Sequence, residues 1–224
     1  YPKHMEALGY EKEADWIEML INVPRETGLP ERLKRISKIV MQKYNLQIKK
    51  YTSSKKLAAD YGQEIFQLIN EAFKPLFGYS ELSQKQIDQY VKTYLPILDL
   101  KLISLITEAD GRLIGVGISM PSMSRALQKA KGKMFPFGWW HLLKALKWKK
   151  PKILDLMLVA IKPEYQGKGV NSLLFYDLLP IYIQEGYEYV ETNVELESNS
   201  KVQQQWIYFE RRQHKRRRCF KKAL

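Results

Sequence analysis

Apolar positions recur along this chain with two periods. Leu33, Ile36, Ile39, Val40 and Tyr44 fall on one side of a helix, and Leu57, Tyr61, Ile65, Leu68, Ile69 and Ala72 do so again further on. Ser54 is placed to cap the second of these helices. A third is read in "SQKQIDQYVKTYL", which opens with Ser83 and Gln86 in capping-box spacing and is ended by Pro96. Strands are read in "DWIEMLINV" and "LQIKKYTS". The run "LKLISLITEADGRLIGVGISM" divides into two strands about Asp110-Gly111, a strong hairpin signal. "ILDLMLVAI" is a further strand. The helix after it carries Val170, Leu173, Leu174 and Leu178, with a kink expected at Pro180 and an end at Gly186. "YEYVETNV" completes the strands, and "SKVQQQWIYFE" reads as the last helix.

From Leu46 onward the order is β-α-α-β-β-insert-β-α-β-α-tail. A hairpin combined with a crossover helix predicts an α/β fold, with a mixed parallel/antiparallel central sheet flanked by helices. The insert, 122–152, is irregular: a short basic helix, the breaker "FPFG", and a helix "WWHLLKALKWKK". On that helix Trp139, Leu142, Leu143 and Leu146 share a face. Tryptophan and lysine on an apolar helix suit a membrane interface or a lid, while packing on the domain's own core explains the same pattern.

Composition adds one thing that the pattern does not show. The net charge of +13 is concentrated in two segments. Arg125 to Lys150 holds eight basic residues and no acidic one, and Arg211 to Lys222 holds eight more. The remainder has 21 basic against 24 acidic residues, so the body is near neutral. Such patches attract phosphates, nucleic acid or lipid headgroups, or are simply solvated surface. The single cysteine, Cys219, allows no internal disulfide and fits a reducing, cytoplasmic location. No apolar run reaches the roughly 18 residues of a membrane span. No His/Cys cluster has metal-ligand spacing, so no metal is expected.

The stretch "AIKPEYQGKGVN" is the most informative. A strand runs into a turn with Gly167 and Gly169 and then into a helix. Helix-start amides lack intrahelical partners, and glycine lets a ligand approach the backbone, so the turn suits a phosphate or pyrophosphate. Two glycines are too few for a P-loop, and Ser172 stands where a dinucleotide fold needs a third. A plain surface turn is the competing reading.

The run "LVAIKPEYQGKGVNSLLF" resembles the acyl-CoA-binding motif of the GNAT acetyltransferase superfamily, Gln/Arg-x-x-Gly-x-Gly/Ala after an apolar strand and Pro-Glu-Tyr. Gln166, Gly167, Lys168, Gly169 and Val170 match in register, whereas Asn171 replaces the usual glycine or alanine. The resemblance implies a GNAT-like fold over 46–224 and acetyl-CoA (CoA) as co-substrate. It also implies acyl transfer to an amine, with the turn amides holding the pyrophosphate. The strand before the turn would splay open and bind pantetheine through Val159 and Ile161. In that pattern an Asn precedes the last helix, where Asn199 fits, and a tyrosine acid follows; Trp206 occupies its position, so Tyr208, two residues on, is the candidate catalytic acid.

Candidate bases are Glu191, Glu195 and Glu197, which alternation places on one face together with Asn193 if the strand runs that far. His141, in the insert, is a further candidate. Leu8-Gly9-Tyr10 and the strand after it resemble the end of such a domain. Residues 1–30 are therefore read as the tail of a preceding domain in a tandem protein, or as a simple extension, and 31–45 as a connecting helix. Two other readings stay open: a tRNA-dependent aminoacyltransferase of Fem type, and a non-catalytic CoA- or RNA-binding module. RNA or a membrane surface would then engage the basic insert and tail.

Overall fold

The Asp-Gly hairpin forms as its sequence predicts. In the computed structural model, which describes residues 1–148 and 150–223, strands β3 (Ile103–Glu108) and β4 (Leu113–Pro121) pair antiparallel across a turn. At that turn Gly111 has φ +95° and the Asp110 carboxylate accepts from the Arg112 amide. Around this hairpin the chain runs α1 (Pro2–Ala7), β1 (Glu11–Asn22), α2 (Glu31–Tyr44), β2 (Leu46–Lys49), α3 (Ser54–Phe73) and α4 (Gln84–Tyr94) before it. After it come α5 (Ser124–Ala130), α6 (Gly138–Lys147), β5 (Ile153–Ile161), α7 (Asn171–Gln184), β6 (Tyr189–Thr192), β7 (Glu195–Leu196), α8 (Ser200–Gln204) and β8 (Arg211–Lys221). Ser53, not Ser54, caps α3, because its extended backbone lets the hydroxyl accept from the Lys56 amide. The capping box at Ser83 and Gln86 is present. Helix α7 continues through Pro180 and is stopped by Gly186 at φ +80°. The last helix is shorter than its apolar pattern suggests: α8 ends at Gln204 and gives way to a 3-10 turn over Gln205–Tyr208.

One sheet runs in the order β2-β3-β4-β5-β6-β1-β7, with β8 pairing β1 on its other edge. All neighbours are antiparallel except β5 and β6, the pair joined by the crossover helix α7. Leu154, Leu156, Val190 and Ile21 join Leu178, Leu179, Tyr182 and Trp206 of the α7 side in one core cluster. Leu105, Val116 and Ala160 join Leu57, Ile65 and Leu68 of α3 in another.

Strand β1 lies inside this sheet. It pairs with β6 and β7 along one edge and with β8 along the other. It also supplies the counter-charges for the basic tail. Asp15, whose side chain is fully enclosed, accepts from Arg216 and Arg218. Glu18 pairs with Lys215 and Arg217, and Glu13 with Lys221. Much of the tail's charge is therefore answered within the sheet. A charged edge strand also resists pairing with other chains.

Candidate active site

The parallel ladder between β5 and β6 is short. It runs from Ile153↔Tyr189 to Leu156↔Thr192 and then stops. The Asn193 amide donates to the Met157 carbonyl at 2.9 Å, closing off the last rung. From Leu158 to Ile161 the β6-facing edge of β5 has no strand beside it among the described residues, while its other edge stays paired to β4. The two strands thus diverge where the sequence resemblance placed a splay, and Val159 lies on the free stretch.

The divergence opens toward the glycine turn. Gly167 and Gly169 have φ of +74° and +80°, so both occupy the left-handed region that excludes most side chains. The backbone N–H groups of Gly167, Gly169, Val170 and Asn171 donate to no described residue. Four free amides at the start of a 14-residue helix form a cradle for an anion. A Cβ at Gly167 would meet nothing within 4 Å, so space is open on that side. Helix α2 backs the turn: a Cβ on Gly169 would press on Ile36 and Val40 at 3.3 and 3.4 Å. Below it, Ser37 bonds to the Ser172 carbonyl and hydroxyl. Lys168 stands over the rings of Tyr44 and Tyr165, with its ammonium 5.6 and 5.3 Å from their centroids.

Three expected ligand contacts are used otherwise. The Gln166 side chain donates to the Ile161 carbonyl at 3.0 Å, bracing the strand and occupying a backbone group expected to be free. The Asn199 side chain caps α8 by accepting from the Val202 amide. The Asn171 side chain donates to Gln205 Oε1 at 3.2 Å, linking α7 to the segment after α8 across the splay. Beneath that link, an apolar slot of about 30 Å³ lies among Leu156, Val159, Phe175 and Trp206.

The carboxylates do not share a face. Leu20 pairs with Glu191, but Ile17 pairs with Glu195, so the register slips by one residue between β6 and β7. This break at Asn193–Val194 acts as a bulge and turns Glu195 to the side opposite Glu191. Alternation had assumed an unbroken strand.

On the α7 side, Glu195 accepts from the indole N–H of Trp206 at 2.9 Å. Trp206 is buried, and the second carboxylate oxygen of Glu195 is enclosed without a partner. Burial pushes the Glu195 carboxyl up to about 7, against the Trp206 bond that favours its charge. Glu197 instead forms ion pairs with Lys12 and Arg216, which hold its pKa down. Tyr208 lies under the Arg32 guanidinium, 5.4 Å from its centroid, and its hydroxyl bonds to no described residue.

On the opposite face, Glu191 meets Lys215 and His214 and keeps a lowered pKa despite its burial. Directly beside it in the ladder is Asp155, a residue the sequence reading passed over. Burial raises the Asp155 pKa, Ser122 lowers it, the charge of Glu191 raises it, that of Lys215 lowers it and that of Glu18 raises it, with a net upward shift. The signal was available: Asp155 is the one charged residue within the apolar strand "ILDLMLVAI". His141 sits half-buried on α6, in the insert.

No family model matches the chain. It is 27% identical over 141 residues to the bacterial ceramide synthase of Caulobacter vibrioides, covering 61% of this chain and 36% of that protein. It is 24% identical to protein YghO of Escherichia coli, covering all of this chain and 57% of that protein. The chain therefore spans between about a third and somewhat over half of these relatives. Among solved structures it resembles a GCN5-related N-acetyltransferase from Sphaerobacter thermophilus, with TM-score 0.56 and 13% identity over 97% of this chain and 55% of that one. It also resembles a fungal GCN5-related glucosamine N-acetyltransferase region, with TM-score 0.54 and 10% identity over 98% of this chain and 22% of that one. The chain has the GNAT fold.

Proposed function

We propose that this chain transfers an acyl group from acyl-CoA to an amine. The observation that carries the reading is the four unpartnered amides of Gly167, Gly169, Val170 and Asn171, set at the mouth of a splayed strand pair. That combination suits a pyrophosphate joined to an extended arm. The turn would hold the phosphates, with the Lys168 ammonium beside them, and the free edge of β5 would bond the arm. The likeness to a bacterial ceramide synthase narrows the acceptor. A ceramide is a fatty amide of a long-chain amino alcohol, so we read the acceptor as a lipid amine and the donor as a fatty acyl-CoA.

Such a transfer needs the amine deprotonated, the oxyanion stabilised and the thiolate protonated. Asp155 is our candidate proton acceptor for the amine, since desolvation raises its basicity and it stands where β5 and β6 begin to part. Glu195, with a pKa of about 7, is the group set to exchange a proton near neutrality on the thiol side. It touches Trp206, which takes the place expected of a tyrosine acid.

The test is calorimetric titration of acetyl-CoA and palmitoyl-CoA into the protein and into Gly167→Asp and Gly167→Asn. Both side chains tolerate positive φ and enter open space, but only the aspartate adds negative charge. Binding to the parent and the Asn variant with loss in the Asp variant supports the reading. Equal binding to all three, or none to the parent, overturns it.

A further inference from the structure

We infer that the α5–α6 hairpin is a docking surface for an anionic phospholipid bilayer. The two helices pack on each other and on no other helix or strand to a comparable extent. The segment between them is bare: from Lys131 to Phe137 every residue is exposed. Phe135 is 81% and Phe137 71% exposed. Leu127, Met134, Trp140 and Trp148 add exposed apolar surface beside them. The tryptophans are ordered against one another, with Trp140 lying 5.9 Å from Trp139 and 5.2 Å from Trp148, ring centre to ring centre. An apolar patch of this kind is costly in water unless something covers it.

The charge around the patch says what covers it. Arg125, Lys129, Lys131, Lys133 and Lys144 are exposed and form no ion pair with any described residue. No acid lies between Arg125 and Lys150. The tail strand β8, equally basic in sequence, is answered by Glu13, Asp15 and Glu18 of β1, whereas these five cations of the hairpin have no such partners among the described residues. Aromatic side chains ringed by free lysines match a bilayer interface in both respects: the rings enter the headgroup boundary and the ammonium groups meet lipid phosphates. Among the described residues no helix is long and apolar enough to cross a membrane, so the contact is with the surface. The hairpin is rooted where the Ser122 amide donates to the Ile153 carbonyl, two residues from Asp155. A bilayer under the hairpin thus adjoins the face where we place the amine acceptor. The docking claim itself is measured without CoA or acceptor, so its failure and that of the acyl-transfer reading are separable.

The experiment is co-sedimentation of the protein with vesicles of phosphatidylcholine, alone and mixed with phosphatidylglycerol, alongside tryptophan emission. We expect binding to the mixed vesicles with a blue shift, much weaker binding to phosphatidylcholine, and release by salt. Lys129→Gln/Lys133→Gln lowers the partition coefficient roughly twenty-five-fold, at about fivefold per lysine. Phe135→Ser/Phe137→Ser lowers it at least about tenfold at equal charge. Neither pair is buried, so the variants keep the parent melting temperature. The proposal is overturned if the parent leaves anionic vesicles in solution, or if both double variants bind as the parent does. RNA binding or a Phe135-dependent dimer in the absence of vesicle binding overturns it equally.

Discussion

Replacing Glu195 by glutamine tests the electrostatics of the candidate site without any ligand. The parent carboxyl titrates at about 7 in the folded protein against an ordinary value of 4.5. A carboxyl raised on folding stabilises the fold at low pH and loses that contribution as pH rises from the unfolded value through the folded one. The window is therefore pH 4.5 to 7. At 1.36 kcal/mol per pH unit the whole loss is about 3 kcal/mol, of which about 2.5 kcal/mol falls between pH 5 and pH 8. Glutamine keeps an oxygen for the Trp206 indole and never ionises, so its stability lacks this term. At about 2 cal/mol/K per residue, the parent melting temperature should fall by about 5 °C relative to Glu195→Gln across that range. Other titrating groups are common to both proteins and cancel in the difference. Paired calorimetric scans at half-unit steps give the curve. A flat difference between pH 5 and pH 8 would falsify the burial argument, and a rise displaced below pH 5 would mean that water reaches the enclosed oxygen.

Three further expectations follow from the same geometry. Asp155→Asn should lower acyl transfer by about a hundredfold or more while leaving CoA affinity within about twofold, since a general base contributes to rate and not to cofactor binding. In the parent the rate should climb with pH through a value above the usual aspartate range, because the active form is the unprotonated one. Asp15→Ala removes an enclosed carboxylate that accepts from Arg216 and Arg218 and should cost about 2 kcal/mol in urea titrations near neutral pH. Its own pKa is depressed, chiefly by Arg218, so parent and variant curves should converge as pH falls below the ordinary value of 3.8. Asn171→Ala breaks the Asn171–Gln205 bond across the splay; a net hydrogen bond of about 1 kcal/mol predicts CoA binding about fivefold tighter, and unchanged or weaker binding would show that the bond does not gate the groove.

Local chemistry was legible in the sequence, and long-range pairing was not. The Asp110-Gly111 hairpin, the capping box at Ser83 and the glycine turn each depend on residues within a few positions of one another, and each forms. The contrast of apolar runs with a crossover helix was enough for the mixed sheet. The partners of β8 were hidden because β1 lies about two hundred residues earlier, so the fit of Asp15 to Arg218 has no local signature. Asp155 gains its importance from Glu191, which only the parallel register sets beside it. Gln166 and Asn199 fit a ligand-binding motif by position, but each found a nearer backbone partner.

The break at Asn193–Val194 unites the features of the site. An unbroken β6 would extend its ladder along Leu158 to Ile161, leaving no free edge on β5 for an extended ligand. It would also set Glu195 on the Glu191 face, among Lys215 and His214, where ion pairing holds a carboxylate's pKa down. With one residue extra, the ladder ends at Thr192, the Asn193 amide seals the Met157 carbonyl, and Glu195 turns into an apolar environment against Trp206. A single irregularity thus opens the groove and buries the carboxyl of raised pKa beside it. Strain or slippage at these two residues should therefore alter ligand binding and the titration of Glu195 together, because both depend on the same one-residue shift in register.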